Sequence, residues 1–90
     1  MFTKGTKPGQ YKFATKPTNA KKVLVAGDFN GWKPAAMRKQ TDGSFALTVT
    51  LRPGSYEYKF IVDGNWIEDP ENSTWALNPY GTINSVATAV

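Results

Sequence analysis

The sequence predicts an all-β chain, a single sandwich of about seven short antiparallel strands. Three observations predict it. Glycine and proline punctuate the chain so that no stretch free of both exceeds nine residues, whereas an average helix needs about 11–12. Two segments alternate apolar and polar residues with period two, as half-buried strands do. Tyr11, Phe13, Phe45, Tyr56, Tyr58 and Phe60 fall in phase with strand interiors and supply a core.

The elements follow in order. Residues 1–9 read as a flexible N-terminal segment, and 10–90 as the sandwich domain. Strands are expected at 10–15 (QYKFAT) and 22–27 (KVLVAG), parted by Pro17 and Asn19. A short strand is expected near 36–39. Residues 44–51 (SFALTVTL) place Phe45, Leu47, Val49 and Leu51 on one face. Residues 55–62 (SYEYKFIV) place Tyr56, Tyr58, Phe60 and Val62 on one face, with Glu57, Lys59 and Ile61 opposite. Arg52-Pro53-Gly54-Ser55 joins these two as a turn, since Pro presets φ and Gly accepts a positive one. Asp63-Gly64 is a hairpin signal leading into a strand at 65–68. Residues 69–81 read as a loop, and 83–90 (INSVATAV) as the closing strand. This count and turn spacing suit an immunoglobulin-like sandwich, although the Cys–Trp–Cys signature of antibody domains is absent.

Composition narrows the chemistry. Ninety residues make one domain near the lower limit for a self-sufficient core, without room for a deep catalytic cleft. Cysteine and histidine are both absent, which excludes disulfides, Cys/His metal sites, thiol nucleophiles and His-based triads. No catalytic residue, metal site or cofactor is expected. Charge is uneven: residues 1–40 carry nine Lys/Arg against Asp28 alone, a local +8, while 41–90 carry −4. The lysines are scattered and read as a solvated face. The start has no apolar signal region and the longest aliphatic run is Val23–Ala26, so a cytoplasmic protein with no membrane partner is expected.

The tryptophans depart from the strand pattern. Trp32 follows Asn30-Gly31, Trp66 follows Asp63-Gly64-Asn65, and Trp75 lies in the long loop, with Tyr80 just before Gly81. An indole on a turn is hard to bury, and such exposed apolar area marks a binding surface unless the ring folds back over a sheet edge. Sugar rings present an apolar C–H face that stacks on flat aromatics, and their hydroxyls need donors and acceptors. Lys59, Asn84, Asn65, Asn30 and Thr82 are the local supply. Nucleic-acid bases also stack, but their backbone needs a basic groove beside the platform. Asp63, Glu68, Asp69 and Glu71 surround Trp66 in sequence, which disfavours phosphate and leaves a neutral glycan untroubled.

VLVAGDFNGW (23–32), GSYEYKFIVDGNWIEDP (54–70) and NPYGTINSV (78–86) together resemble carbohydrate-binding module family 48. Such modules form the glycogen-binding domain of the AMP-activated protein kinase β subunit and the N-terminal domain of isoamylase and branching enzyme. The resemblance covers about residues 10–90. It implies an immunoglobulin-like sandwich of the early-set type that binds α-1,4-glucans (glycogen, starch, maltodextrins) without catalysis. It also implies a catalytic domain or kinase-like partner. Residue by residue, Trp32 and Trp66 match the stacking tryptophans, Lys59 and Asn84 the hydrogen-bonding pair, and Thr82 lies in the matching GTIN motif. Tyr80 stands where kinase β subunits carry a leucine. Trp75 has no counterpart and is left as a third platform, a core residue or a contact for a neighbouring domain.

Rival readings are weaker. Asp63, Glu68, Asp69 and Glu71 could furnish a hydrolytic carboxylate pair or hold calcium. Acids after a hairpin are more often solvated, or cap turns as Asp69 would before Pro70, and no EF-hand spacing is present. An interaction module with a lost sugar site conflicts with the presence of both tryptophans, Lys59 and Asn84.

Overall fold

Residues 1–90 are all described in the computed structural model. Two antiparallel sheets form, because each alternating segment has one apolar face to bury. The first sheet runs β1 (Phe2–Lys4), β2 (Gln10–Thr15), β6 (Phe45–Thr50) and β5 (Arg38–Lys39), in that spatial order. The second runs β4 (Ala35–Ala36), β3 (Val23–Gly27), β7 (Gly54–Val62), β10 (Ile83–Ala89) and β9 (Trp75–Leu77), with β8 (Asn65–Ile67) hairpinned on β7. The chain passes repeatedly between the two sheets, as in an immunoglobulin-like sandwich.

The two sheets close on Phe13, Val23, Val25, Phe45, Tyr58 and Phe60, all buried. Phe13 meets Tyr58 edge-on at 4.8 Å, and Tyr58 meets Phe60 at 5.7 Å, the geometry that ring quadrupoles favour. The Tyr58 hydroxyl donates to Asp69 Oδ2 at 2.7 Å and accepts from Asn72 Nδ2 at 3.0 Å. Burial first, and then the bond to Asp69, push this phenol well above the usual tyrosine range. Asp69 caps its turn as expected, accepting the Glu71 N–H at 2.9 Å. It is also a buried anchor for the core tyrosine, a role the loop sequence does not suggest.

Ten strands replace the expected seven or so, and the differences have physical causes. Residues 1–9 read as a flexible lead-in, but Phe2–Lys4 pair with Tyr11–Phe13. Phe2 is drawn in by stacking on Tyr11 at 5.1 Å and tilting on Phe13 at 5.0 Å. The strand expected near 36–39 splits around buried Met37, with Ala35–Ala36 in one sheet and Arg38–Lys39 in the other. The loop 69–81 contains β9, because Trp75–Leu77 find an open edge on β10.

β7 is the strand that matters for the site. Tyr58 and Phe60 point inward, so Glu57 and Lys59 point out. On β10, Ser85 faces the interior and Asn84 pairs outward of it, opposite Ala76 of β9. The outer face of the second sheet thus carries Glu57, Lys59 and Asn84 side by side. No helix of the chain is long and apolar enough to cross a membrane.

Candidate functional site

A groove of about 610 Å³ opens on this outer face. It is bordered by Trp32, Trp66, Lys59, Tyr80, Thr82 and Asn84. These are six of the residues singled out from the sequence, gathered from four separate chain segments. Asp28, Glu57, Leu77, Asn78 and Pro79 complete the lining.

Each wall is built locally. Gly31 and Trp32 both have positive φ, 66° and 61°, which throws the Trp32 ring back over the end of β3. The ring is half-buried, and its indole N–H donates to Asp28 Oδ1 at 2.9 Å. On the other side, Asp63 and Gly64 take φ 47° and 87°. That left-handed pair suits the tight turn of a two-residue hairpin and carries Trp66 back beside β7. Trp66 pairs across from Ile61 and is 51% exposed, so one face of its ring stays wet while the hairpin holds its base.

The polar floor is one hydrogen-bonded chain. Asn84 Nδ2 donates to Glu57 Oε1 at 3.0 Å, and Asn84 Oδ1 accepts from Asn78 Nδ2 at 3.2 Å. Asn78 Nδ2 also donates to Thr82 Oγ1 at 2.6 Å, and Lys59 Nζ donates to the same oxygen at 3.2 Å. Thr82 therefore receives two bonds and keeps its own hydroxyl proton free to donate outward. Asn84 is only 5% exposed. The sequence offers Asn84 as a hydrogen-bonding residue; the structure makes it the groove floor, with one amide hydrogen and one carbonyl lone pair engaged within the protein and one of each left over.

Asn78 is the residue that sequence reasoning missed most. Its Oδ1 accepts the backbone N–H of Tyr80 at 3.0 Å and of Thr82 at 3.1 Å. Gly81 turns the chain with φ 83°. Together they hold a closed loop from whose tip Tyr80 projects, 91% exposed. The Asn-Pro pair ahead of Gly81 was the available signal, since such residues initiate turns through side-chain bonds. Glu57 had a signal too, two residues before Lys59 on the outward phase. Asn30 and Asn65 do not line the groove; Asn30 instead accepts the Gly27 N–H at 3.1 Å within its own turn.

Trp75 is 59% exposed but lies outside the groove lining. Trp75 pairs with Ser85 at the start of β9, farther along the strand from the loop that carries Tyr80 than Leu77, which does border the groove. Chemically, the groove offers aromatic surface on two sides and a row of donors and acceptors between them. Its two carboxylates are committed, Asp28 to Trp32 and the Glu57 N–H, and Glu57 to Asn84.

Comparison with known proteins places the chain in a family. A family profile described as the glycogen recognition site of AMP-activated protein kinase matches residues 8–89. The chain is 49% identical over 55 residues to Protein PTST homolog 2, chloroplastic, of Arabidopsis thaliana, covering 60% of this chain and 10% of that protein. It is 33% identical over 66 residues to 5′-AMP-activated protein kinase subunit beta-2 of Mus musculus, covering 73% and 24%. A maltogenic amylase from S. marinus shares the fold with a TM-score of 0.75, at 22% identity, over 100% of this chain and 16% of that one. The chain thus spans only about a tenth to a quarter of the length of these relatives. With the match running over nearly every residue, the chain belongs to the family of the glycogen recognition site of AMP-activated protein kinase.

Proposed function

We propose that this module binds α-1,4-linked glucans without catalysis, by stacking sugar rings on Trp32 and Trp66 and bonding their hydroxyls to Lys59, Thr82 and Asn84. The observation that carries this reading is the meeting of both turn-borne indoles and that polar row on one groove. Tyr80, projecting at the rim, leans on a further sugar. Family membership supports the ligand class. The names of the relatives, a kinase subunit and an amylase, support a larger setting in which the module brings a catalytic domain or kinase-like partner to the polymer. A cytoplasmic setting is part of the proposal; the Arabidopsis relative is chloroplastic by name.

The expected affinity is low. Two rings each covering roughly 100 Å² supply about 2.5 kcal/mol apiece. Three well-formed hydrogen bonds add about 1–1.5 kcal/mol each, and association costs at least about 4 kcal/mol. The remainder, about 4–5.5 kcal/mol, corresponds to a Kd of roughly 0.1–1 mM for a single oligosaccharide. Repeated engagement along a polymer raises the apparent affinity. Titration of maltoheptaose into wild type, Trp32→Ala and Trp66→Ala tests the reading. Both variants should lose binding, and undiminished binding in both would overturn it.

A further inference from the structure

Trp32 is held in a conformation that a free turn would not keep. Its left-handed φ of 61° is disfavoured for any residue with a Cβ. Such strain persists only where the surroundings over-determine it. Here they do. The Trp32 backbone N–H donates to the Gly27 carbonyl at 2.8 Å. The indole N–H donates to Asp28 Oδ1 at 2.9 Å, and Asp28 Oδ2 accepts the Glu57 backbone N–H at 2.8 Å. Gly27 makes this possible. A Cβ there would run into the Glu57 carbonyl oxygen and lie 2.8 Å from the Tyr58 Cβ, so only glycine lets β3 end flush against β7. One carboxylate thereby ties the Trp32 ring to the strand that carries Glu57 and Lys59.

We propose that Asp28 is a positioning residue for the glucan site: its carboxylate sets the plane of the Trp32 indole against β7, and with it the shape of the groove. The proposal rests on Trp32 being a stacking wall. It follows that the indole N–H is spent within the protein, so Trp32 reads the sugar through its ring face and not as a hydrogen-bond donor. It also follows that Asn is a poor substitute despite its matching shape. A carboxylate offers an acceptor to each of its two N–H partners, whereas an Asn amide would turn its own NH₂ toward one of them.

The test compares wild type with Asp28→Asn, Trp32→Phe, the double variant and Trp32→Ala, each titrated with maltoheptaose by NMR. Phenylalanine keeps a ring but has no N–H to hold. Asp28→Asn should weaken binding about tenfold when Trp32 is present, the scale of a lost charge-assisted bond. In the Trp32→Phe background the same change should cost no more than about twofold, the coupling that a double-mutant cycle isolates. Without sugar, the Trp32 indole proton should be shifted downfield and protected from solvent exchange in wild type, and should lose both features in Asp28→Asn. The proposal is overturned if Asp28→Asn binds as wild type does, or if its penalty is the same in both backgrounds. A freely exchanging Trp32 indole proton in wild type would also overturn it, even if Asp28→Asn failed to fold. Undiminished binding by Trp32→Ala would instead sink the stacking reading itself, so the two failures are distinguishable.

Discussion

Replacing Trp66 by alanine removes one wall of the groove while leaving its floor in place. A tryptophan carries roughly 250 Å² of surface, and Trp66 is 51% exposed, so about 125 Å² is available to a ligand. A glucose face covering about 100 Å² of that contributes about 2.5 kcal/mol, a factor of about 70 in Kd. Starting near the proposed affinity, the variant should show no saturable response to maltoheptaose. The assay is a ¹⁵N chemical-shift titration, which reads binding at Thr82 and at the Lys59 amide, away from the substituted residue. Folding is checked in the same spectra. Ile61 lies across from Trp66 and is buried, so losing its cover should lower stability modestly without moving the core methyls. A folded Trp66→Ala protein that binds maltoheptaose within twofold of wild type would refute the reasoning. It would mean that the exposed face of Trp66 does not meet the sugar.

Three further outcomes are expected. Asn78→Ala removes a side chain that bonds Tyr80, Thr82 and Asn84. It should cost about 1–3 kcal/mol of stability and speed amide exchange at Tyr80 and Thr82, with a severalfold loss of glucan affinity. Trp75→Ala should leave maltoheptaose affinity within about twofold, because Trp75 lies outside the groove lining. It should lower denaturant stability by about 1–2 kcal/mol for the part of the ring that is buried. Tyr58 holds its proton more tightly folded than unfolded. Its contribution is therefore fully present below the unfolded tyrosine pKa of about 10 and declines as pH rises beyond it. Urea unfolding at pH 9 and pH 11 should show that decline, and Tyr58→Phe should flatten it.

Much of the site was legible because its residues break a local rule. Trp32 and Trp66 sit on turns where large apolar rings are not needed for the core, and Lys59 occupies the outward phase of a strand whose inward phase is Tyr58 and Phe60. These are properties of a few adjacent residues. Asn78 and Glu57 carry weaker marks, an Asn-Pro turn signal and an outward strand phase, and Asp28 carries none. Their roles depend on partners two to 29 residues away, and polar residues in loops usually meet water instead. Trp75 shows the converse: as conspicuous in sequence as Trp66, it pairs with Ser85 at the start of β9 and lies outside the groove lining.

By itself, then, the sequence determined the all-β class, the main strands and which rings belong to the core. Period-two alternation and Gly/Pro punctuation act over a few residues, so they are complete in the one-dimensional pattern. Tertiary structure alone decided that Phe2 would pull a first strand onto β2, that Met37 would carry the chain between sheets, and that Asp28 would bridge an indole to β7. Each depends on two surfaces meeting across the sandwich, and the free energy of that meeting belongs to neither segment alone.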